Sequence, residues 1–140
     1  MTSVVVGLLL VGCGGSEGER GANINPNVVL YAAETLSLQK PLNQSLIKVT
    51  WTNNDKNTEL SVSTIIQRKK QGQADFVDIV EVDGSVATYN DNQGLVNGQT
   101  YIYRLKIVEN NIDIDPVYSV EKSLYFSDVI ISNPDDPQES

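Results

Sequence analysis

The 140-residue chain contains no histidine and a single cysteine, Cys13. The lack of histidine removes the usual general base and the commonest metal ligand. One cysteine cannot form a disulfide within the domain, so stability must come from a packed core. No Gly-x-Ser-x-Gly nucleophile motif is present, and the scattered carboxylates suggest no glycosidase pair. These absences argue against an enzyme, and the sequence predicts neither a cofactor nor a metal.

Basic residues are scarce. Ten lysines and arginines face eighteen aspartates and glutamates, which gives a net charge of −8. Nucleic acid is not an expected partner because its phosphates would be repelled. The acidity is also what keeps a secreted domain soluble.

The amino-terminal residues predict a secreted protein with a lipid anchor. Residues 4–11 form an apolar run that is too short for a membrane-spanning helix but fits the core of a signal peptide. The end of this run and the next two residues, Leu10 to Cys13, resemble a bacterial lipobox, in which the cysteine is diacylated and becomes the mature amino terminus. Residues 1–3 lack the usual basic residue, and the alternative is an apolar start with an incidental cysteine. The lipobox residues are Leu10, Val11, Gly12 and Cys13.

The resemblance implies residues 1–12 as the signal peptide and Cys13 as the lipidated residue. Several acyl chains hold a protein stably on a membrane, so the expected location is the bacterial cell envelope. Gly14 is not an aspartate, which in the enterobacterial sorting scheme implies the outer membrane. Residues 13–27 are rich in glycine and polar residues and predict a flexible tether.

Residues 127–140 predict an acidic, disordered tail. The tail contains one apolar triplet, Val129, Ile130 and Ile131. The triplet is expected to extend the last strand or cover a sheet edge, and the alternative is pairing with the exposed edge of another chain.

Residues 28–126 show the period of two that is typical of strands half buried against a core. In the strand that follows Thr100, Arg104 and Lys106 lie on the face opposite to the apolar residues. Leu95 and the pair Asn97 and Gly98 precede that strand as a turn, since asparagine and glycine tolerate positive φ. The apolar sets are Ile47, Val49 and Trp51 in residues 45–52, and Tyr101, Tyr103, Leu105 and Ile107 after Thr100.

Further strands are predicted over residues 28–38, 61–70, 75–82, 87–91 and 117–126. In the last of these, Lys122 is expected to break a face formed by Tyr118, Val120, Leu124 and Phe126. Together these strands predict an all-β class.

Several of these residues, in this order, resemble a fibronectin type III domain, an immunoglobulin-like β-sandwich of seven strands. The resemblance implies that Trp51, Tyr89, Leu95 and Tyr103 lie in the core. It also implies a tyrosine corner at Tyr101, whose hydroxyl bonds the backbone upstream of it. Thr64 departs from the family, which often has a large aromatic there, and no Arg-Gly-Asp motif is present. The matching residues are Trp51, Ile66 to Lys69, Phe76, Ile79, Thr88 to Asp91, Leu95, Gly98 and Tyr101 to Leu105.

Two polar stretches are candidate partner contacts. Arg68, Lys69 and Lys70 form the only basic run, which is either a contact for an anionic partner or a solvated strand end. Asp113 and Asp115 lie in a loop that offers oxygen ligands for calcium. The loop lacks the glycine and distal glutamate of an EF-hand, so a plain polar loop is the expectation.

These features predict an envelope-anchored, non-catalytic binding or structural module whose partner is another protein. A tether and a lipid confine the domain near the membrane and raise its effective concentration for nearby partners. One alternative is a carbohydrate-binding module that uses exposed aromatics, for which Tyr31 and Tyr125 are candidates. Another is an assembly subunit that polymerises by strand addition through residues 129–131. Fold analogy by itself also favours binding over catalysis.

Overall fold

The computed structural model describes residues 28–128. In this range eight strands form two antiparallel sheets, and one 3₁₀ turn lies between two of the strands. The predicted signal peptide, Cys13 and the tether lie outside the described residues, as do Val129, Ile130 and Ile131. The strands are β1 (Thr35–Gln39), β2 (Ile47–Thr52), β3 (Val62–Lys70), β4 (Val77–Asp83), β5 (Thr88–Asp91), β6 (Gln99–Glu109), β7 (Val117–Tyr118) and β8 (Lys122–Phe126), and the 3₁₀ turn is Asp55–Asn57.

The three-stranded sheet has the order β1-β2-β5. The five-stranded sheet has the order β4-β3-β6, and both β7 and β8 pair with the far side of β6. The predicted all-β sandwich is therefore confirmed. Within residues 28–128, no helix has the length and apolar character needed to cross a membrane.

The inner face of β6 is the centre of the core. Tyr101, Tyr103, Leu105 and Ile107 are at most 2% exposed, while the residues between them are half-buried. This confirms the alternation predicted for the strand. Across the sandwich, β2 contributes a second buried set, Ile47, Val49 and Trp51. Burial of each large apolar side chain contributes about 1.5–3 kcal/mol, so these two rows hold the sheets together.

The last strand differs from the prediction, because it is divided into β7 and β8 and gives eight strands instead of seven. The break falls at residues 119–121, whereas Lys122 lies within β8 and pairs with Tyr103. The hydroxyl of Ser119 accepts the Leu105 N–H at 2.8 Å, so a side chain replaces a backbone partner there. Tyr118 and Val120 are 42% and 61% exposed, so their predicted place on the face with Leu124 and Phe126 was wrong.

The first strand begins at Thr35, seven residues later than the start predicted at residue 28. The side chain of Asn57 hydrogen-bonds the backbone of the segment that precedes β1. Its Oδ1 accepts the Tyr31 N–H at 3.0 Å, and its Nδ2 donates to the Tyr31 carbonyl at 2.7 Å. Because an amide takes both backbone groups of Tyr31, that residue has neither left for a strand ladder.

The connection from β5 to β6 closes one end of the sandwich. Gly94 and Gly98 have φ of 61° and 86°, so glycine supplies the turn conformation and Asn97 does not. The hydroxyl of Tyr101 accepts the Val96 N–H at 2.8 Å, and Leu95 packs against the core. The connection is thereby tied to the first inward residue of β6.

Candidate binding surface

The outer face of the five-stranded sheet is the candidate binding surface. Alternation along β6 places Ile102, Arg104 and Lys106 on this face. The register brings Tyr118 of β7 opposite Lys106, and Tyr125 of β8 opposite Thr100. Tyr118 and Tyr125 are 42% and 62% exposed. We name this surface, centred on Arg104 and flanked by the exposed tyrosines, the Arg104 face.

Arg104 is fixed from three sides. Its guanidinium carbon lies 4.2 Å from the ring centroid of Phe76 and 4.2 Å from that of Tyr118. Its Nε donates to Oε1 of Gln67 at 2.7 Å, and the Gln67 amide donates in turn to Asp78 at 2.7 Å. Cation–π contacts and a side-chain hydrogen bond therefore hold the guanidinium before any partner arrives.

This arrangement suits protein recognition. Tyrosine and arginine are enriched among the residues that dominate binding energy at protein interfaces. A side chain that is already held in place loses less conformational entropy on binding. The Arg104 face therefore combines exposed aromatic area with a positioned cation.

The basic run does not form one surface. Nη1 of Arg68 donates to Asp91 Oδ2 at 2.7 Å and to the Gln93 carbonyl at 2.8 Å, and the Arg68 side chain is 17% exposed. The ammonium of Lys69 lies 4.8 Å from the Phe76 ring, whereas Lys70 is exposed. Both interpretations of this run, one shared contact and a solvated strand end, are corrected for Arg68, because it serves an ion pair inside the sandwich.

The partner of Arg68 is a residue whose role the sequence did not reveal. Asp91 is fully buried, and its Oδ2 also accepts the Tyr103 hydroxyl at 2.5 Å. Its Oδ1 accepts the Gln93 N–H at 3.0 Å. The available signal was spacing, since Tyr89 and Asp91 are two residues apart on one strand and share a face.

This network shifts two pKa values. Burial raises the pKa of the Tyr103 phenol, and its hydrogen bond to the Asp91 carboxylate raises it further. Burial alone would lower the pKa of Arg68, but the hydrogen bond and charge of Asp91 outweigh burial and raise it. Tyr103 and Arg68 therefore keep their protons near neutral pH, and their bonds to Asp91 act as a structural link.

Glu109 organises the loop that was the calcium candidate. Its Oε1 accepts the N–H groups of Asn111 and Ile112 at 2.6 Å each, and its Oε2 accepts the Ser61 N–H at 2.8 Å. Burial opposes the charged form, but these backbone bonds outweigh it and lower the pKa of Glu109. Asp113 and Asp115 are exposed, and residues 28–128 contain no group of three or more histidines, cysteines, aspartates or glutamates placed to hold a metal ion.

The aromatic candidates for a sugar platform lie apart. Tyr31 lines a cavity together with Ile107, whereas Tyr125 pairs opposite Thr100. Thr100 and Ile107 are seven residues apart in β6, which corresponds to roughly 24 Å along a strand. Tyr31 and Tyr125 therefore do not form a common platform. Trp51, which the family resemblance places in the core, is 5% exposed and offers no ring to a sugar.

No protein-family model matches the chain, and no curated protein is significantly similar to it. Among solved structures, an FN3 domain of human collagen XX is 15% identical with a TM-score of 0.53, covering 74% of this chain and 97% of that domain. The third fibronectin III domain of human KIAA0343 protein is 15% identical with a TM-score of 0.52, covering 89% and 99%. At this identity the likeness concerns the fold alone, which is the β-sandwich of fibronectin type III domains.

Proposed function

We propose that this chain is a non-catalytic binding module, anchored in the bacterial cell envelope by lipid at Cys13, that meets a partner protein through the Arg104 face. The observation that carries the proposal is the position of Arg104 between the rings of Phe76 and Tyr118 on an exposed sheet. Exposed tyrosine beside positioned arginine is the composition of a protein-binding hot spot.

Two features support a non-catalytic role. The chain has no histidine, so the commonest acid–base side chain is missing. The buried Asp91 and Tyr103 and the partly buried Arg68 are bonded to one another inside the sandwich. Their bonding satisfies them structurally and supports the use of this fold as a scaffold.

The charge of the Arg104 face supports a partner with carboxylates. Lys69 and Lys106 lie on the same face as Arg104, whereas the carboxylates of that face, such as Asp78 and Glu81, lie along its β4 side. A cationic side next to an acidic side favours encounters in one orientation. We expect the partner to present acidic side chains around an apolar centre that covers Tyr118.

The anchor sets where this encounter takes place. Residues 13–27 are predicted to be flexible, and a chain of that length has a root-mean-square span of roughly 20 Å. The module would then stay close to the membrane at a raised effective concentration for envelope partners. Gly14 after the cysteine supports the outer membrane as the destination.

Lipidation is tested by Cys13→Ser in the full chain. We expect the variant to leave the membrane fraction and to lose incorporation of labelled palmitate, because the thiol carries the lipid. Substitution of Ser16 by alanine is the matched control and should leave the protein in the membrane. Retention of the Cys13→Ser protein in membranes would reject the anchor.

The binding surface is tested by a photo-crosslinking residue placed at Tyr118 in intact cells. We expect one discrete adduct, which Arg104→Ala weakens at least fivefold because the cation and its contacts with the two rings are lost. The same probe at Lys48, exposed on β2 in the opposite sheet, is the control and should not give that adduct. Equal adducts at both positions, or an adduct unaffected by Arg104→Ala, would exclude the Arg104 face. Circular dichroism of the Arg104→Ala protein separates lost binding from lost folding.

A further inference from the structure

Acidic and basic residues of the Arg104 face lie on either side of β3. Asp78 of β4 and Arg104 of β6 both pair with Gln67 of β3, and paired residues of antiparallel strands share a face. Gln67 links the two, since its amide donates to Asp78 and its oxygen accepts the Arg104 Nε. The second oxygen of Asp78 and the Nη groups of Arg104 form no hydrogen bond within residues 28–128, so both can still bond a partner.

A second row of residues repeats this arrangement. Glu81 of β4 and Lys106 of β6 both pair with Ile65, two residues before Gln67 on β3. Neither charged side chain takes part in an ion pair with another described residue. Adjacent strands are about 4.8 Å apart, so the two ends of a row are roughly 10 Å apart at the backbone. Each row therefore has a carboxylate on β4 and a cation on β6, with β3 between them.

These rows are complementary to those of a second copy of the chain. A twofold axis along β3, between two sheets placed face to face, puts β4 of each copy over β6 of the other. Asp78 of each copy then lies opposite Arg104 of the other. Glu81 lies opposite Lys106 in the same way, and Ile65 meets its own counterpart at the axis. Facing sheets pack about 10 Å apart, and in such a twofold contact each charge pair is made twice.

We propose that the Arg104 face also associates with a second copy of this chain, through two Asp78–Arg104 and two Glu81–Lys106 pairs. The association occupies Arg104 and so competes with the partner of the proposed function, but it does not require that partner. Lys69 of β3 would face its own counterpart with like charge, and each copy has a net charge of −8. Both effects oppose association, so the contact is weak in free solution.

The symmetry of this contact suits two copies held on one membrane. An axis parallel to the strands keeps equivalent ends of both copies at the same level. Residue 28, where the described chain begins, is then on the same side in both copies, as a lipid anchor at Cys13 requires. Anchoring raises the effective concentration of each copy for the other, which favours a contact that is weak in solution.

The experiment is a crosslinking assay on the purified full chain in neutral detergent, with Ile65→Cys and a short bis-maleimide. At about 1 mM chain, association as weak as millimolar is detected with or without the anchor. We expect a crosslinked dimer, because the two copies of residue 65 meet at the axis. Lys48→Cys, exposed on β2 in the opposite sheet, is the matched control and also accounts for any reaction at Cys13.

Charge reversal in the Ile65→Cys chain is the decisive test. Lys106→Glu and Glu81→Lys each place like charges opposite one another twice, and each should lower the crosslinked fraction at least about tenfold. Glu34→Lys, an exposed position next to β1 of the opposite sheet, is the matched control and should crosslink as the parent does.

The two reversed chains should recover when they are mixed. In the mixed pair every acidic position lies opposite a basic one, so chains tagged to different sizes should give the heterodimer and neither homodimer. Recovery requires both chains to be folded, so it separates repulsion from misfolding. Lys106→Gln replaces a reversed chain that circular dichroism shows to be unfolded, and it should also lower the crosslinked fraction.

Three results would overturn the proposal. The first is crosslinking of Ile65→Cys no stronger than that of Lys48→Cys. The second is undiminished crosslinking of a reversed chain, and the third is a mixture of folded reversed chains that does not recover. The adduct expected at Tyr118 with a different protein would stand in each case, because Tyr118 lies on β7, beyond the strands that pair here.

Discussion

A guanidinium nitrogen of Arg68 lies 2.7 Å from a carboxylate oxygen of Asp91, although the two residues belong to opposite sheets. Arg68 is on β3 and Asp91 is at the end of β5. Asp91 is fully buried and also receives the Tyr103 hydroxyl. A buried carboxylate is tolerated only when it is paired and hydrogen-bonded. The ion pair therefore makes the approach of the two sheets specific at this point.

The first prediction concerns Arg68→Met, which leaves Asp91 buried without its cation. We expect the free energy of unfolding to fall by about 3 kcal/mol, because an uncompensated buried charge is strongly unfavourable. Urea unfolding followed by tryptophan fluorescence measures the change. Lys70→Met, the same substitution at an exposed position of the same strand, should change it by less than about 0.5 kcal/mol.

The double variant Arg68→Met with Asp91→Leu separates the pair from its parts. Removal of both charges eliminates the unpaired carboxylate, so the double variant should be more stable than Arg68→Met alone. A double variant as unstable as the sum of the two single variants would show that the charges do not act as a pair.

The second prediction is a pH dependence that comes from Tyr103. The unfolded chain loses the phenolic proton near its ordinary pKa of 10.0, whereas the folded protein, with a raised pKa, retains it. The unfolded state then binds fewer protons, so stability is present below pH 10 and is lost as the pH rises above it. Urea unfolding from about pH 9 to about pH 12 should show this loss, and Tyr103→Phe should show less of it.

Tyr103→Phe should also be about 2 kcal/mol less stable at neutral pH, because the hydrogen bond to a charged acceptor is gone. Tyr125→Phe, at a 62% exposed position, is the control and should follow the parent at every pH. An alkaline loss of the same size in Tyr103→Phe and in the parent would assign the effect to another group.

Periodicity in the sequence was sufficient to assign the two faces of β2 and β6, because alternation is a local property of the backbone. The position of Asp91 on an inner face follows from the same rule. Its pairing with Arg68 does not, because it depends on how β3 and β5 are brought together by the sandwich. The same limit applies to Ser119, whose hydroxyl interrupts the last strand only because Leu105 lies opposite.

Residues of the candidate sites were less accessible to sequence reasoning. Arg104 was assigned to an outer face, but the two rings around it come from the residue before β4 and from β7. The cavity beside Tyr31 is formed by the segment before β1 and by two connections far apart in sequence. Contacts of this kind depend on the three-dimensional packing of loops, for which a single sequence carries no periodic signal.

The third prediction concerns Gly84, in the turn between β4 and β5. A Cβ at this position would lie 2.4 Å from Cγ2 of Val62 and 2.6 Å from the Val62 carbonyl oxygen. Gly84→Ala should therefore reduce the free energy of unfolding by about 2 kcal/mol through overpacking, as measured by urea unfolding.

Val62→Ala tests the cause of that loss. It removes the side-chain clash but leaves the clash with the backbone oxygen, which cannot move away freely because it accepts the Gly84 N–H at 3.0 Å. Gly84→Ala should thus remain destabilising in the Val62→Ala background. Full rescue there would show that the side chain alone excludes a Cβ.

The fourth prediction is a loss of stability in acid that comes from Glu109. Its backbone hydrogen bonds lower its pKa below the ordinary value of 4.5, so the unfolded chain takes up a proton first as the pH falls. The contribution of Glu109 is therefore present above pH 4.5 and is lost as the pH falls through the lowered folded pKa. Glu109→Gln lacks this contribution, so its stability deficit should shrink between about pH 6 and about pH 3 in urea unfolding.

The amides of Asn111 and Ile112 report the same event locally. Their N–H groups bond Oε1 of Glu109, so protonation of the carboxylate should speed their hydrogen exchange relative to the core amides of β6. Glu121→Gln, an exposed glutamate outside this loop, is the control and should leave both amides as they are in the parent. If Glu109→Gln kept a constant deficit across this range, the loop would be held by its shape and not by the charge of Glu109.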